Sequence, residues 1–309
     1  MRYDLQEINF KTVQDPKGFC EECEEKYQQG IRQAAEQVIG NMRNSPIVLL
    51  AGPSGSAKTT SAMKISEELN RRGIGTHTVS LDDYFNTVGE GTPRTPEGDY
   101  DLESPLCLDM ELLNDHFTKL EKGERIFVPK YEFSRQMRIT EPSKSIRLKK
   151  DEICIFEGIH ALNDDIAGRH PEAFKLHISA SSEVYFGGQR VFKSTWFRLV
   201  RRIVRDYKFR GADPAETMSM WANVRRGEKL YITPFKDRAD FHLDSTLACE
   251  PAVMNVAATD LFRSVPEGIE RFEELKAVLP AIQLFGVIEE SDVPAESVLR
   301  EFIGGGIYA

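Results

Sequence analysis

Apolar residues fall along this chain in short runs separated by stretches with helical spacing. Residues 18–44 carry Tyr27, Ile31, Ala34, Ala35, Val38 and Ile39 on one face, which predicts one long amphipathic helix ended by Asn44-Ser45-Pro46. Apolar runs at 47–51 and 153–156, and mixed ones at 76–81, 127–133 and 175–180, predict strands. Helical spacing returns at 108–122, 196–207 and 268–278. It also returns from Asp213, where Pro214 and Glu216 add a first-turn proline and a capping-box acid. Residues 86–106, rich in Gly, Pro and acid, read as an ordered loop or a flap, and 138–150 as a basic hairpin or turn region. Short strands alternating with helices predict an α/β fold, a doubly wound parallel sheet with flanking helices. Its ligands bind at the carboxyl ends of the strands.

The loop after the first strand reads Gly52-Pro53-Ser54-Gly55-Ser56-Ala57-Lys58-Thr59-Thr60 and runs into a helical segment. This is the pattern G-x-x-x-x-G-K-[ST], with Ala57 in place of the second glycine. In such a loop, backbone N–H groups and the helix N-terminus surround phosphate oxygens. The lysine reaches the β/γ-phosphates and the threonine hydroxyl ligates Mg²⁺. The methyl of Ala57 either crowds the phosphates or forces a φ that alanine disfavours.

Two further strands end in carboxylates, at Asp82-Asp83 and at Glu157-Gly158. A GTPase should carry N-K-x-D, which this sequence lacks, and a motor ATPase should end its acidic strand in two adjacent acids. A single Glu157 suits metal positioning. The base that activates an acceptor hydroxyl is then Asp82 or its neighbour Asp83. Seven arginines and Lys208 lie between Arg198 and Arg226, with Arg198, Arg202 and Arg205 on one helical face. Such a row can close over a triphosphate as a lid; a solvated basic face is the alternative.

Bulk properties narrow the partners. A net charge of −9 argues against a general nucleic-acid or membrane-surface binder, and no run is long and apolar enough to span a membrane. Five scattered cysteines suit a reducing cytoplasm. Cys20 and Cys23 form a lone C-x-x-C in an acidic helix and are expected to be half-exposed. The acidic stretch 21–25 packs either on the core or on a second copy, so a homo-oligomer stays open.

Taken together, GPSGSAKTT, SLDDYF at 80–85, YDLESP at 100–105, VPKYEF at 128–133, FEGIHAL at 156–162 and RLVRRIVRDYKFRG at 198–211 resemble the uridine kinase/phosphoribulokinase family of P-loop kinases. VRRGEKLYITPF at 224–235 and SVLREFIGG at 297–305 look like the kinase half of bacterial nucleoside kinases that often carry an N-terminal TGS-like domain, a portion not seen here. The resemblance implies ATP and Mg²⁺ as cofactors and the primary hydroxyl of a nucleoside or small polyol as acceptor. It implies that residues 52–60, including Gly52, Ser54, Gly55, Ser56, Ala57 and Thr60, hold ATP, with Lys58 on its β/γ-phosphates. Thr59 and Glu157 would serve the metal and Asp82 would be the base. Asp101 would bind the sugar hydroxyls, with Tyr131 and Phe133 flanking the nucleobase or its replacement. Arg202 and Arg205 would contact sugar and phosphate, and Arg210 the ATP phosphates.

The chain departs from the family at Ala57, at Ser134-Arg135-Gln136 where pyrimidine kinases place a base-reading histidine, at Ala212 where they place an arginine, and at Ser194-Thr195-Trp196. Losing base contacts argues against uridine and cytidine, because an unpaired base edge costs about 1–3 kcal/mol. Alternatives are a non-catalytic nucleotide-binding module and a sugar-phosphate kinase using Arg135, Arg138 and Lys144. The expected plan is a helical extension over 1–44, a kinase domain over 45–265 and a helical tail over 266–309.

Overall fold

A computed structural model describes residues 1–268 and 272–308. The chain begins with β1 (Arg2–Asp4), α1 (Leu5–Gln14) and α2 (Pro16–Asn41). Of these, β1 was not foreseen. Asp4 caps α1 through the amides of Gln6 and Glu7, and Asp15 caps α2 with Pro16 at its first position. Next come β2 (Ile47–Ala51), α3 (Lys58–Arg71) and β3 (Gly75–Ser80), then a 3₁₀ turn at Leu81–Tyr84. They are followed by α4 (Met110–Glu121), β4 (Ile126–Glu132), β5 (Met137–Ile146), β6 (Glu152–Glu157), α5 (Asp164–Ala167) and β7 (Phe174–Ser179). The unforeseen hairpin β8 (Glu183–Phe186) and β9 (Gln189–Phe192) leads into α6 (Ser194–Arg210) and α7 (Pro214–Gly227). Last are β10 (Phe241–Asp244), α8 (Glu250–Ser264), α9 (Phe272–Ile282) and α10 (Arg300–Ile303). The start of the helix expected over 268–278 falls partly on 269–271, outside the described residues.

The central sheet runs β10–β7–β2–β6–β3, every pair parallel. Alternation along β2 explains why both its faces are covered. Val48 and Leu50 enter one apolar cluster with α2, α3, α6 and α8, while Ile47, Leu49 and Ala51 enter another with α4, β4 and β5. Of the two readings of 138–150, hairpin or turn, the hairpin is found: strand β5 pairs antiparallel with β4. A small second sheet, β1–β8–β9, joins the N-terminus to the hairpin before α6.

Both ends of the chain pack on the helix that follows the glycine-rich loop. In α2, Glu21, Glu22 and Glu25 face outward while Glu24 turns inward and meets the ammonium of Lys64 on α3 at 2.8 Å. Tyr27 and Ser61 share a hydrogen bond of 2.6 Å across the same helix pair. Cys20 and Cys23 are buried rather than half-exposed, their thiols against Cys249 before α8, because the C-x-x-C lies on the apolar face of α2. Trp196 and Trp221 are core residues.

Candidate functional site

Three neighbouring strands release the chain at one edge of the sheet. β2 ends in the glycine-rich loop, β6 in Glu157 and β3 in the turn that holds Asp82, with Ser80 and Leu50 both in register with Glu157. The loop's shape has local causes. A Cβ on Gly52 would meet the carbonyl oxygen of Ile178 at 2.0 Å, so the loop crosses β7 only as glycine. Ala57 sits at φ +63° and ψ +37°, in the left-handed region where the motif's glycine would be. The strained φ foreseen from the sequence is what is found.

Under the loop, α6 supplies guanidinium groups. Arg198 donates from Nε to the Ser54 carbonyl at 2.9 Å and from Nη1 to Glu228 at 2.8 Å. Arg202 donates to Ser54 Oγ at 2.9 Å. Arg201, fully buried, pairs bidentately with Glu250 at 2.6 and 2.7 Å and reaches the Gly55 carbonyl at 3.2 Å. Several arginines of this helix therefore brace the loop from beneath. Asp206 gathers Arg202, Arg205 and Arg210 around one buried carboxylate.

The cleft above the loop has a volume of about 540 Å³. Ser54, Gly55, Ala57, Lys58, Thr59 and Thr60 line its floor; Gly52 and Ser56 lie buried beneath. Asp82, Glu157, Arg205 and Arg210 face it as well. Thr59 Oγ1 lies 3.4 Å from Glu157 Oε1. Burial pushes the Lys58 ammonium below the usual lysine range, while Glu157, Asp82 and Glu301 pull it back up. Burial raises the Asp82 and Glu157 carboxyls, with Lys58 opposing both shifts. Asp83 turns away, its carboxylate accepting the backbone N–H of Tyr131. Among the described residues no cluster of three or more His, Cys, Asp or Glu is placed to hold a metal. One hydroxyl and one carboxylate are the kind of oxygen donors that Mg²⁺ takes when phosphates complete its shell.

At the far end of the cleft, Phe85, Tyr131 and Phe133 form an aromatic triangle with centroids 5.5, 6.2 and 5.0 Å apart. Gln136 faces them from a left-handed conformation, φ +50°. Asp101 is absent from the cleft wall. Its Oδ2 accepts from the Tyr231 hydroxyl at 2.8 Å and from Arg226 at 3.2 Å. Arg202 also lies behind the wall. Glu103, two residues on and not singled out from the sequence, faces the cleft instead. Burial raises its carboxyl to about 7, against the pull of Arg202 and Lys58. His160 is buried beside Tyr231, with ring centroids 6.2 Å apart, and does not line the cleft. Glu301 and Tyr308 complete the wall from the C-terminal segment. A second cavity, of about 570 Å³, lies between the N-terminal elements and β10 and contains none of these groups.

The family model described as Phosphoribulokinase / Uridine kinase family matches residues 47–248. A uridine kinase of Saccharomyces cerevisiae is 28% identical over 200 residues, 63% of this chain; the match spans only 36% of the yeast protein. A uridine kinase of Anoxybacillus flavithermus is 28% identical over 201 residues, 64% of this chain and 86% of its own length. Among solved structures, a "possible uridine kinase" from Bacillus stearothermophilus superposes with a TM-score of 0.42 at 17% identity, covering 64% of this chain and 88% of that one.

Proposed function

Since the chain belongs to the phosphoribulokinase/uridine kinase family of kinases, we propose that it transfers the γ-phosphoryl group of ATP, with Mg²⁺, to the primary hydroxyl of a nucleoside or related small polyol. The observation that carries this reading is the convergence of Lys58, Thr59, Asp82, Glu157 and Glu103 in one cleft that ends in an aromatic triangle.

Each group has a role its position allows. Lys58 and the amides at the start of α3 hold the donor phosphates. Thr59 and Glu157 would hold the metal, which when bound neutralises charge on the transferred group. Asp82 takes the proton of the acceptor hydroxyl; burial raises its affinity for that proton, and the Lys58 ammonium favours its ionised form. Arg205 and Arg210, which face the cleft, offset charge on the phosphoryl oxygens. With Asp101 engaged by Tyr231 and Arg226, Glu103 is the carboxylate available to accept two hydroxyls of a diol. The carboxamide of Gln136 offers one donor and one acceptor face to whatever rests on Tyr131 and Phe133.

A sugar-phosphate acceptor draws less support. Arg138 is engaged by Asp109 at 2.8 Å and by the Tyr84 carbonyl at 2.8 Å, and Lys144 by the Thr78 carbonyl. Arg135 is exposed beside Glu132. Replacing Asp82 by Asn is expected to lower turnover about 10²–10⁴-fold with Mg-ATP affinity nearly unchanged. Equal losses in binding and turnover would assign Asp82 to the donor site instead.

A further inference from the structure

Glu301 approaches the cleft from 241 residues beyond Thr60, and its backbone is firmly placed. Leu299 and Phe302, on either side of Arg300 and Glu301, are fully buried. Arg300 fastens the carbonyls of Glu290 at 2.8 Å, Gly304 at 3.0 Å and Pro294 at 3.3 Å. The Phe302 ring lies 5.0 Å from the Arg201 guanidinium that braces the loop. From this anchored turn Glu301 Oε2 accepts from Thr60 Oγ1 at 2.5 Å and from the Thr60 amide at 3.4 Å.

Thr60 is the third residue of α3, so its amide is a first-turn donor with no carbonyl partner inside the helix. Donors of this kind, at the positive end of a helix, hold the α/β-phosphates in a P-loop. The carboxylate brings its own negative charge to that position. It also acts on the cations of the site, since Glu301 is among the anions that favour the charged forms of Lys58 and Arg210.

We infer that Glu301 is an internal occupant of the donor site: its carboxylate holds the Thr60 amide and hydroxyl in the free protein, and the nucleoside-proximal phosphate of the donor binds by displacing it. The inference rests on reading the cleft as a nucleotide site. With the turn anchored, the displacement is a side-chain rotation. Glu301 then sets donor affinity according to donor length. A nucleoside triphosphate extends to Thr60 and meets the carboxylate, whereas pyrophosphate held at the Lys58 end does not.

The test is titration calorimetry of the full chain, its Glu301→Ala variant and its Glu301→Gln variant, with Mg-ATP and with Mg-pyrophosphate. Glu301→Ala is expected to bind Mg-ATP about tenfold tighter (~1.4 kcal/mol), Glu301→Gln to lie between it and wild type, and pyrophosphate affinity to change less than threefold. Unchanged or weaker Mg-ATP binding by a folded variant overturns the inference. So does a gain for pyrophosphate equal to that for ATP, which would reflect loss of charge without displacement. Glu301→Gln keeps the side chain's size, so the comparison stands if the alanine variant unfolds. Equal nucleotide binding by all three proteins removes this inference alone. No nucleotide binding by any folded protein removes the nucleotide-site reading and the inference with it.

Discussion

Removing the Glu24 carboxylate asks whether the N-terminal helices and the loop-bearing helix stand as one cooperative unit. Glu24 Oε1 meets Lys64 Nζ at 2.8 Å, with side-chain exposures of 6% and 1%, and also accepts from Gln28 at 3.3 Å. Its second oxygen accepts the Val298 amide at 3.3 Å, so one carboxylate joins α2, α3 and the C-terminal segment. The rings of Tyr27 and Tyr308, 5.9 and 5.0 Å from the ammonium, close the site around Lys64. Breaking a buried pair from one side leaves an uncompensated charge, at a cost of about 3–5 kcal/mol. A domain's whole stability is about 5–15 kcal/mol, so Glu24→Ala should move the urea midpoint far toward zero denaturant. The double variant Glu24→Leu/Lys64→Met removes both charges and should recover most of the loss, because a well-packed apolar replacement is often neutral or better. Measured together with the single variants Glu24→Leu and Lys64→Met, the cycle gives the coupling energy directly. A Glu24→Ala loss under about 1 kcal/mol, or losses that simply add in the double variant, would refute the claim that this pair ties the N-terminal helices to the site.

Two further predictions follow from single residues. Ala57→Gly relieves a left-handed alanine, about 1–2 kcal/mol, but gives up a buried methyl worth about 0.8 kcal/mol and adds chain entropy of about 0.5–1 kcal/mol. Denaturation should therefore find the variant within about 1 kcal/mol of wild type by that sum, with Mg-ATP affinity within about threefold; a stabilisation of about 1.5 kcal/mol would mean the methyl contributes nothing to packing. Glu103, raised to about 7 by burial, binds its proton more tightly in the folded than in the unfolded chain. Its contribution to stability is thus full below the ordinary carboxyl value of 4.5 and is lost as pH rises through about 7. The ionised form is the better hydroxyl acceptor, so acceptor KM should fall as pH rises across the same range. A pH profile of KM for wild type and Glu103→Gln checks the second expectation and urea unfolding over the same pH range the first, and an unchanged slope in the variant would exclude Glu103 as the titrating group.

What could be read from the sequence was what local order encodes. A strand, a glycine-rich loop and a helix are contiguous, and a parallel sheet brings strand ends to one edge, so Lys58, Thr59, Asp82 and Glu157 meet where expected. The left-handed backbone at Ala57 was also legible, because the motif calls for glycine there. The arginine helix was recognisable as a helix, but the destination of each guanidinium was not. Arg201 depends on Glu250, 49 residues away, and Arg198 on Glu228, 30 residues away. Spacing on α6 alone does not reveal which of them brace the loop and which face the cleft. Acidic neighbours made Cys20 and Cys23 look half-exposed, yet Glu24 beside them is itself buried by its contact with α3. Nothing local marks Glu301 as part of the site, since its relation to Thr60 exists only after the chain has closed over a separation of 241 positions. Glu103 was passed over for Asp101 because both lie in the same short motif, and only packing decides which carboxylate is left facing the cleft.

The central claim is phosphoryl transfer to a primary hydroxyl, and the most direct measurement follows ADP release and product mass with Mg-ATP across nucleosides, sugars, polyols and sugar phosphates. Asp82→Asn runs beside the wild type as the blank. The account predicts one nucleoside or polyol well above the rest, phosphorylated at its primary hydroxyl, with turnover about 10²–10⁴-fold lower in the variant. Mg-ATP binding with no transfer to any acceptor, or transfer undiminished by the loss of Asp82, would contradict it.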